Sequence, residues 1–194
     1  MIAAVLEAKQ RLVIEEVPNL SPGPGEVLIK VICCGICGSD LHLFNNEQTP
    51  KGIIAGHEWV GTVAEPGPGV TTWESGDRVV MRAYPAGRGP TQEESMKAWL
   101  SDPVGALMLH PAITAGGYAE YLLWDAAALV RVPDNVTDED AALTDTLNVG
   151  FGAVRASGIR LGDSVAIIGA GPIGLCALLG AKLAGAGTVY VSDM

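Results

Sequence analysis

The sequence predicts a mainly β, barrel-like domain followed by the first βαβ unit of a parallel α/β sheet. Three observations predict it. From Ile2 to Val132, short runs rich in Val, Ile, Leu and Tyr are divided by Gly, Pro and Asp signals, the punctuation of an all-β domain. Beyond Thr137 the pattern changes to helix-compatible spacing. Gly169-Ala170-Gly171-Pro172-Ile173-Gly174 then joins a strand-like run to a helix-like one, as the turn of a βαβ unit does.

In chain order, the candidate strands are Ala3–Leu6, Leu12–Val17, Val27–Cys33, Val60–Glu65, Arg78–Arg82, Ala119–Leu123 and Leu129–Val132. Turns such as Ser21-Pro22-Gly23-Pro24-Gly25 and Pro66-Gly67-Pro68-Gly69 separate them. Between Ala83 and Gly117 the periodicity lapses, and one short helix is expected near Gln92–Leu100. A connection that long is usually functional. Thr137 reads as an N-cap with Asp140 three residues on, and Ala141 to Ala156 as its helix. Ser164–Ile168, Pro172–Ala184 and Val189–Ser192 give strand, helix and strand. The chain stops at Met194, directly after the last strand, so the parallel sheet is expected to be the opening of a larger one and the chain a fragment.

Composition excludes several classes. With 12 basic and 22 acidic residues, the net charge of −10 repels phosphate backbones and anionic lipid, so neither nucleic acid nor a membrane is an expected partner. Cysteines at 33, 34, 37 and 176 form no evenly spaced disulfide framework, which predicts a reduced, cytoplasmic protein. The uncharged stretch Val165–Ala181 is shorter than the roughly 20 residues a spanning helix needs, and glycines and a proline break it. No signal peptide opens the chain.

Two constellations carry chemistry. In the glycine-rich turn, Gly169 permits the tight turn, Gly171 lets backbone approach a pyrophosphate and Gly174 lets helix pack close to strand. Pro172 and Ile173 open a helix whose N-terminus attracts negative charge. Asp193 follows nineteen residues after Gly174, where a carboxylate can accept hydrogen bonds from an adenosine ribose. The turn therefore reads as a Rossmann dinucleotide site, against the alternative of a structural turn with a solvated aspartate. The second constellation is Cys34-Gly35-Ile36-Cys37-Gly38-Ser39-Asp40-Leu41-His42, followed by Gly56-His57-Glu58. Thiolate, imidazole and carboxylate are the groups zinc accepts, and a catalytic zinc takes three and leaves a fourth position open. No second Cys pair or closing His pair follows, so a structural zinc finger is disfavoured. Cys33, Cys34 and Cys176 read as small buried hydrophobes, and His42 and His57 taken singly could be ordinary histidines.

Cys37-Gly38-Ser39-Asp40-Leu41-His42, Gly56-His57-Glu58 with Gly61, Gly76-Asp77-Arg78-Val79, Gly116-Gly117-Tyr118-Ala119-Glu120-Tyr121 and the glycine-rich turn occur in one order along the chain. In that order and approximate spacing they resemble the zinc-dependent medium-chain alcohol dehydrogenases, over nearly the whole chain. The resemblance implies a GroES-like catalytic domain over 1–150 and a partial Rossmann domain over 151–194. It implies Cys37 and His57 as zinc ligands, with Asp145 as the third, because some bacterial members place aspartate five residues before the equivalent of Gly150. Glu58 would lie beside the metal, Asp40 would orient His57, Ser39 would hydrogen-bond the substrate hydroxyl, and His42 would exchange its proton with solvent. The implied activity is Lewis-acid-assisted hydride transfer between a small alcohol, or its aldehyde or ketone, and NAD, in a homo-oligomer.

Two departures from the family matter. Met81 to Gly117 contains no cysteine where members carry a four-cysteine zinc lobe, so one catalytic zinc and no structural zinc is expected. Val149 stands where a threonine is common. As a fragment the chain is expected to be impaired in activity and to self-associate. Two other functions remain open: a zinc-free quinone or enoyl reductase of the same superfold, and a non-catalytic zinc-binding remnant.

Overall fold

The computed structural model describes residues 1–82 and 116–194, together with Thr91, Glu94, Lys97 and Ser101. The helix expected near Gln92–Leu100 lies outside the described residues, apart from isolated positions. The chain divides into two compact units, Met1–Ala142 and Leu143–Met194.

The first unit is built from antiparallel strands. β1 (Ile2–Ala8) and β2 (Arg11–Glu16) form a hairpin. β3 (Glu26–Gly35), β4 (Glu58–Pro66), β5 (Arg78–Met81), β6 (Tyr121–Asp125) and β7 (Leu129–Arg131) form a sheet in the order β6-β3-β4-β5-β7. The hairpin is tied in by bridges from Ala3 to Ala119 and from Leu6 to Ile53, which gives the barrel-like character the sequence predicts. Alternation decides the inner face: Val27, Ile29, Trp59, Val63, Val79 and Leu122 form one core, with Trp59 and Trp124 edge to face at 6.0 Å. β4 is covered on both sides, because Val60 packs the other way, with Val80, Val132 and Ala141.

An irregularity re-aims the end of β3. Between β3 and β4, Val31 faces Gly61 and Cys33 faces Val60, so Ile32 is an extra residue. Such a bulge turns the next side chains along the strand to the opposite face. Cys34 thereby packs against the inner core, and Gly35 comes opposite Glu58.

A helix that the sequence pattern does not reveal, α1 (Gly38–Asn45), comes directly after β3. The single helix expected over Ala141–Ala156 is two. α2 (Asp138–Ala142) is capped by Thr137 Oγ1, which accepts from the Asp140 amide at 3.1 Å, and it ends where Ala141 is buried on the sheet. α3 (Thr144–Ser157) starts afresh after Leu143. The expected domain boundary after residue 150 falls inside α3, and by packing the whole helix belongs to the second unit.

In the second unit β8 (Val165–Ile168), α4 (Pro172–Leu183) and β9 (Val189–Ser192) make the expected βαβ unit, with Val165 facing Val189 and Ile168 facing Ser192 in parallel register. Ile168, Leu175, Leu179, Leu183 and Tyr190 are exposed on it.

All four tryptophans lie in the first unit's sequence range, so their fluorescence reports its unfolding. Ile29→Ala, at a fully buried position, should destabilise this unit by about 2–5 kcal/mol in urea titrations. Ile14→Ala, on an exposed strand face, should change stability by no more than about 0.5 kcal/mol.

Candidate metal centre

The site is assembled where β3 hands over to α1 and where the loop before β4 meets them. Cys37 is the N-cap residue of α1, in extended conformation. Asp40, at the third helical position, folds back so that its Oδ2 accepts the Cys37 amide at 2.8 Å, satisfying one of the orphan donors of a helix start. Its other oxygen, Oδ1, accepts the Gly56 amide at 3.3 Å and faces His57 Nδ1 at 3.7 Å. Asp40 and His57 are both buried. Glu58 opens β4 against Gly35, where any Cβ would stand 2.5 Å from a Glu58 carboxylate oxygen. A glycine is required there for the carboxylate to fit.

Among the described residues these constraints bring together three donors, Cys37 Sγ, a nitrogen of His57 and a carboxylate oxygen of Glu58, all within 4.8 Å of one another. A soft thiolate, an imidazole and a carboxylate at that separation suit a zinc-sized cation. Asp145 is not one of the three. It lies half-buried on the first turn of α3, in the second unit. Ser39, two residues after Cys37, has its Oγ buried close to the Cys37 thiol, which it helps to hold below its ordinary range. His42 is exposed on the last turn of α1, on a polar depression of about 550 Å³ that it shares with Lys9, Asn45 and Glu47.

In the second unit the glycine-rich turn has the geometry its sequence calls for. Gly169 has a φ of 102°, which disfavours other residues. A Cβ on Gly174 would lie 1.9 Å from the Gly169 carbonyl oxygen, so helix and turn touch only because it is glycine. Gly171, the N-cap of α4, has open space in front of it, and Pro172 and Ile173 begin the helix. Asp193 Oδ2 accepts the Ala170 amide at 2.9 Å, tying the end of β9 to the middle of the turn.

Residues 23–134 match the family model of the alcohol dehydrogenase GroES-like domain. The chain belongs to this alcohol dehydrogenase family. It is 36% identical to sorbitol dehydrogenase of Bos taurus over 205 residues, which cover all of this chain and 55% of that protein. It is 35% identical to (R,R)-butanediol dehydrogenase of Bacillus subtilis (strain 168), covering 100% of this chain and 58% of the relative. Among solved structures, alcohol dehydrogenase TADH from Thermus sp. ATN1 superposes with a TM-score of 0.80 at 33% identity, over 98% of this chain and 57% of that one. A Sinorhizobium meliloti 1021 protein described as a zinc-binding dehydrogenase, solved with NADP, gives 0.80 at 32%, over 98% and 55%. This alcohol dehydrogenase chain thus spans about half the length of the curated relatives it matches.

Electrostatics separate the cysteines of this family member. Neighbouring His57 above all holds the Cys37 thiol below its ordinary range, against the opposing effect of burial. Burial and the charge of Asp40 push Cys34 up to about 12, so it stays a thiol packed in the core. Burial opposes charging His57, yet the Asp40 carboxylate and Cys37 outweigh it and raise the imidazole to about 10. Burial likewise opposes ionisation of Asp40, but His57, the Cys37 amide and Tyr118 hold it below the usual carboxylate range.

His57 is therefore protonated at neutral pH beside a thiol that loses its proton more readily than usual, and a cation must displace the His57 proton before it can use that nitrogen. Zinc affinity should rise about tenfold per pH unit as pH climbs towards 10, and more steeply below the lowered Cys37 value, where a second proton competes. Calorimetric titrations with zinc at pH 7, in buffers of different ionisation enthalpy, should show release of at least one proton, the one held by His57. Affinity independent of pH between 6 and 9 contradicts this assignment.

Proposed function

We propose that this chain carries the metal-binding and dinucleotide-binding parts of a zinc-dependent oxidoreductase that transfers hydride between an alcohol and NAD. The observation that carries the reading is the convergence of Cys37, His57 and Glu58 at the start of α1, in a chain of the alcohol dehydrogenase family. The relatives named for sorbitol and butanediol point to a small hydroxylated substrate, or the matching aldehyde or ketone.

The donor set fits one zinc: a lowered thiol, a buried imidazole backed by a carboxylate, and a second carboxylate beside them. We assign Cys37, His57 and Asp145 as its ligands, with Glu58 close enough to the same position to take part. Zinc held there would supply Lewis-acid polarisation of the substrate oxygen, and a bound nicotinamide would supply the hydride acceptor. The buried Ser39 Oγ, close to the Cys37 thiol, supports a role for Ser39 in hydrogen-bonding the substrate hydroxyl. The exposure of His42 to solvent supports a role in passing that proton outward. Gly169, Gly171 and Gly174 give a pyrophosphate access to the backbone amides at the start of α4, with Pro172 and Ile173 forming its first turn. Asp193, held below the usual carboxylate range by the amides of Met194 and Ala170, offers a charged acceptor to a ribose diol. The exposed apolar residues of β8, α4 and β9 favour self-association, and light scattering reads it out.

The chain should bind one zinc, measured by elemental analysis after dialysis. Cys37→Ala should remove most of it and Asp145→Ala should weaken it, whereas Cys34→Ala should leave it in place. A metal content near two per chain contradicts the single-site reading.

NAD should bind more tightly than its 2′-phosphorylated form, because the Asp193 carboxylate accepts from the free ribose hydroxyls and repels the phosphate. Asp193→Gly should narrow the ratio. Tighter binding of NADP by the unaltered chain removes the role given to Asp193.

A further inference from the structure

We propose that Tyr118 is a positioning residue of the metal centre, holding the Asp40 carboxylate, and through it the His57 ring, in the orientation that presents His57 to a metal. The inference rests on the reading that Cys37 and His57 hold zinc, and it adds a residue to which the sequence assigned no role.

Tyr118 lies in the turn that precedes β6, remote in sequence from α1. Its hydroxyl stands 2.8 Å from Asp40 Oδ2 and 3.2 Å from the Gly35 carbonyl oxygen. A hydroxyl has one hydrogen to donate, and the shorter, charge-assisted contact to the carboxylate is the stronger of the two. With the Cys37 amide at 2.8 Å on the same oxygen, Oδ2 receives two donors on one side of the carboxylate. Oδ1 is thereby directed towards the Gly56 amide and His57 Nδ1. The terminal torsion of an aspartate is soft, so donors rather than rotamer preference set its angle. The negative charge of that carboxylate, 3.7 Å from Nδ1, favours a proton on that nitrogen and so leaves Nε2 for a metal.

The same residue grips the loop that delivers His57. The Tyr118 amide donates to the Ala55 carbonyl at 3.0 Å, and its ring covers Gly56 so closely that a Cβ there would stand 2.7 Å from ring Cδ1. Tyr118 thus fixes both the backbone before His57 and the carboxylate beside its ring. The contact also borders an apolar cavity of about 170 Å³, lined by Leu43, Phe44, Ile53 and Ala55 with Asp40 and Tyr118. In such surroundings a hydrogen bond is electrostatically stronger than in water.

The test compares the full chain with Tyr118→Phe, Asp40→Asn and the double variant. Zinc affinity is measured by competition with a chromophoric chelator, and the visible spectrum is recorded after loading with cobalt(II). Phenylalanine keeps the ring over Gly56 and removes only the hydroxyl. Tyr118→Phe should lower zinc affinity about tenfold and shift the cobalt d–d bands, while the charge-transfer band from Cys37 remains. In the Asp40→Asn background the same change should cost less than about twofold, because the carboxylate through which it acts is gone. Unchanged affinity and spectrum in Tyr118→Phe overturn the inference, as does an undiminished tenfold loss in the Asp40→Asn background. A full chain that binds no zinc, or binds it equally after Cys37→Ala, overturns the zinc reading and the inference with it, and the unmutated chain and Cys37→Ala show this before Tyr118 is altered.

Discussion

Everything at the metal centre turns on one buried carboxylate. Asp40 receives the amide of Cys37 and that of Gly56, the hydroxyl of Tyr118 and the near approach of His57, so groups from three separate stretches of sequence meet on two oxygens. The Gly56 amide among them is buried, and an unsatisfied buried group costs about 1–3 kcal/mol. The carboxylate therefore does structural and electrostatic work with the same lone pairs: it starts α1, pins the loop before β4, and sustains the charge on His57 despite burial. An asparagine has the same shape but only one acceptor oxygen, and it carries no charge to favour imidazolium.

That convergence is possible because side chains are absent where backbones must touch. Gly117 lies against the Gly56 carbonyl oxygen, where its Cβ would stand at 2.5 Å, and Gly56 itself lies under the Tyr118 ring with a φ of 93°. Gly35 leaves the space that the Glu58 carboxylate occupies. The bulge at Ile32 sets the register in which Gly35 and Glu58 meet. A strand irregularity and three small residues thus place the donors that give the site its chemistry.

Much of this is legible in the sequence because periodicity carries it. The alternation of Val27, Ile29 and Val31 marks a half-buried strand, the continuous apolar run Val79–Met81 marks one buried on both faces, and the glycine-rich turn between apolar runs marks the βαβ unit. The helix α1 is not legible. It buries only Asp40 and Leu43, so it has no apolar stripe, and its start is specified by a hydrogen bond from the Cys37 amide to Asp40 rather than by composition. The break at Leu143 escapes for a related reason, since the residues on either side keep a helical pattern and only the packing of Ala141 on the sheet ends α2. Tyr118 stands within a recognisable motif, yet its task is invisible there. Its partner Asp40 lies 78 residues away, and no local spacing encodes that contact.

Asp193 shows how a carboxylate can serve the fold and still have acceptor capacity left. Both of its oxygens already accept backbone amides, Oδ2 from Ala170 and Oδ1 from Met194. An ionised carboxylate has about four acceptor positions, so two remain open to further donors. The bond to Ala170 ties the end of β9 to the residue between Gly169 and Gly171. Fixing the turn from the end of β9 sets the separation between the carboxylate and the start of α4. In the dinucleotide-binding role proposed above, this hydrogen bond would hold the two recognition points at a set separation, to which a flexible dinucleotide can adapt.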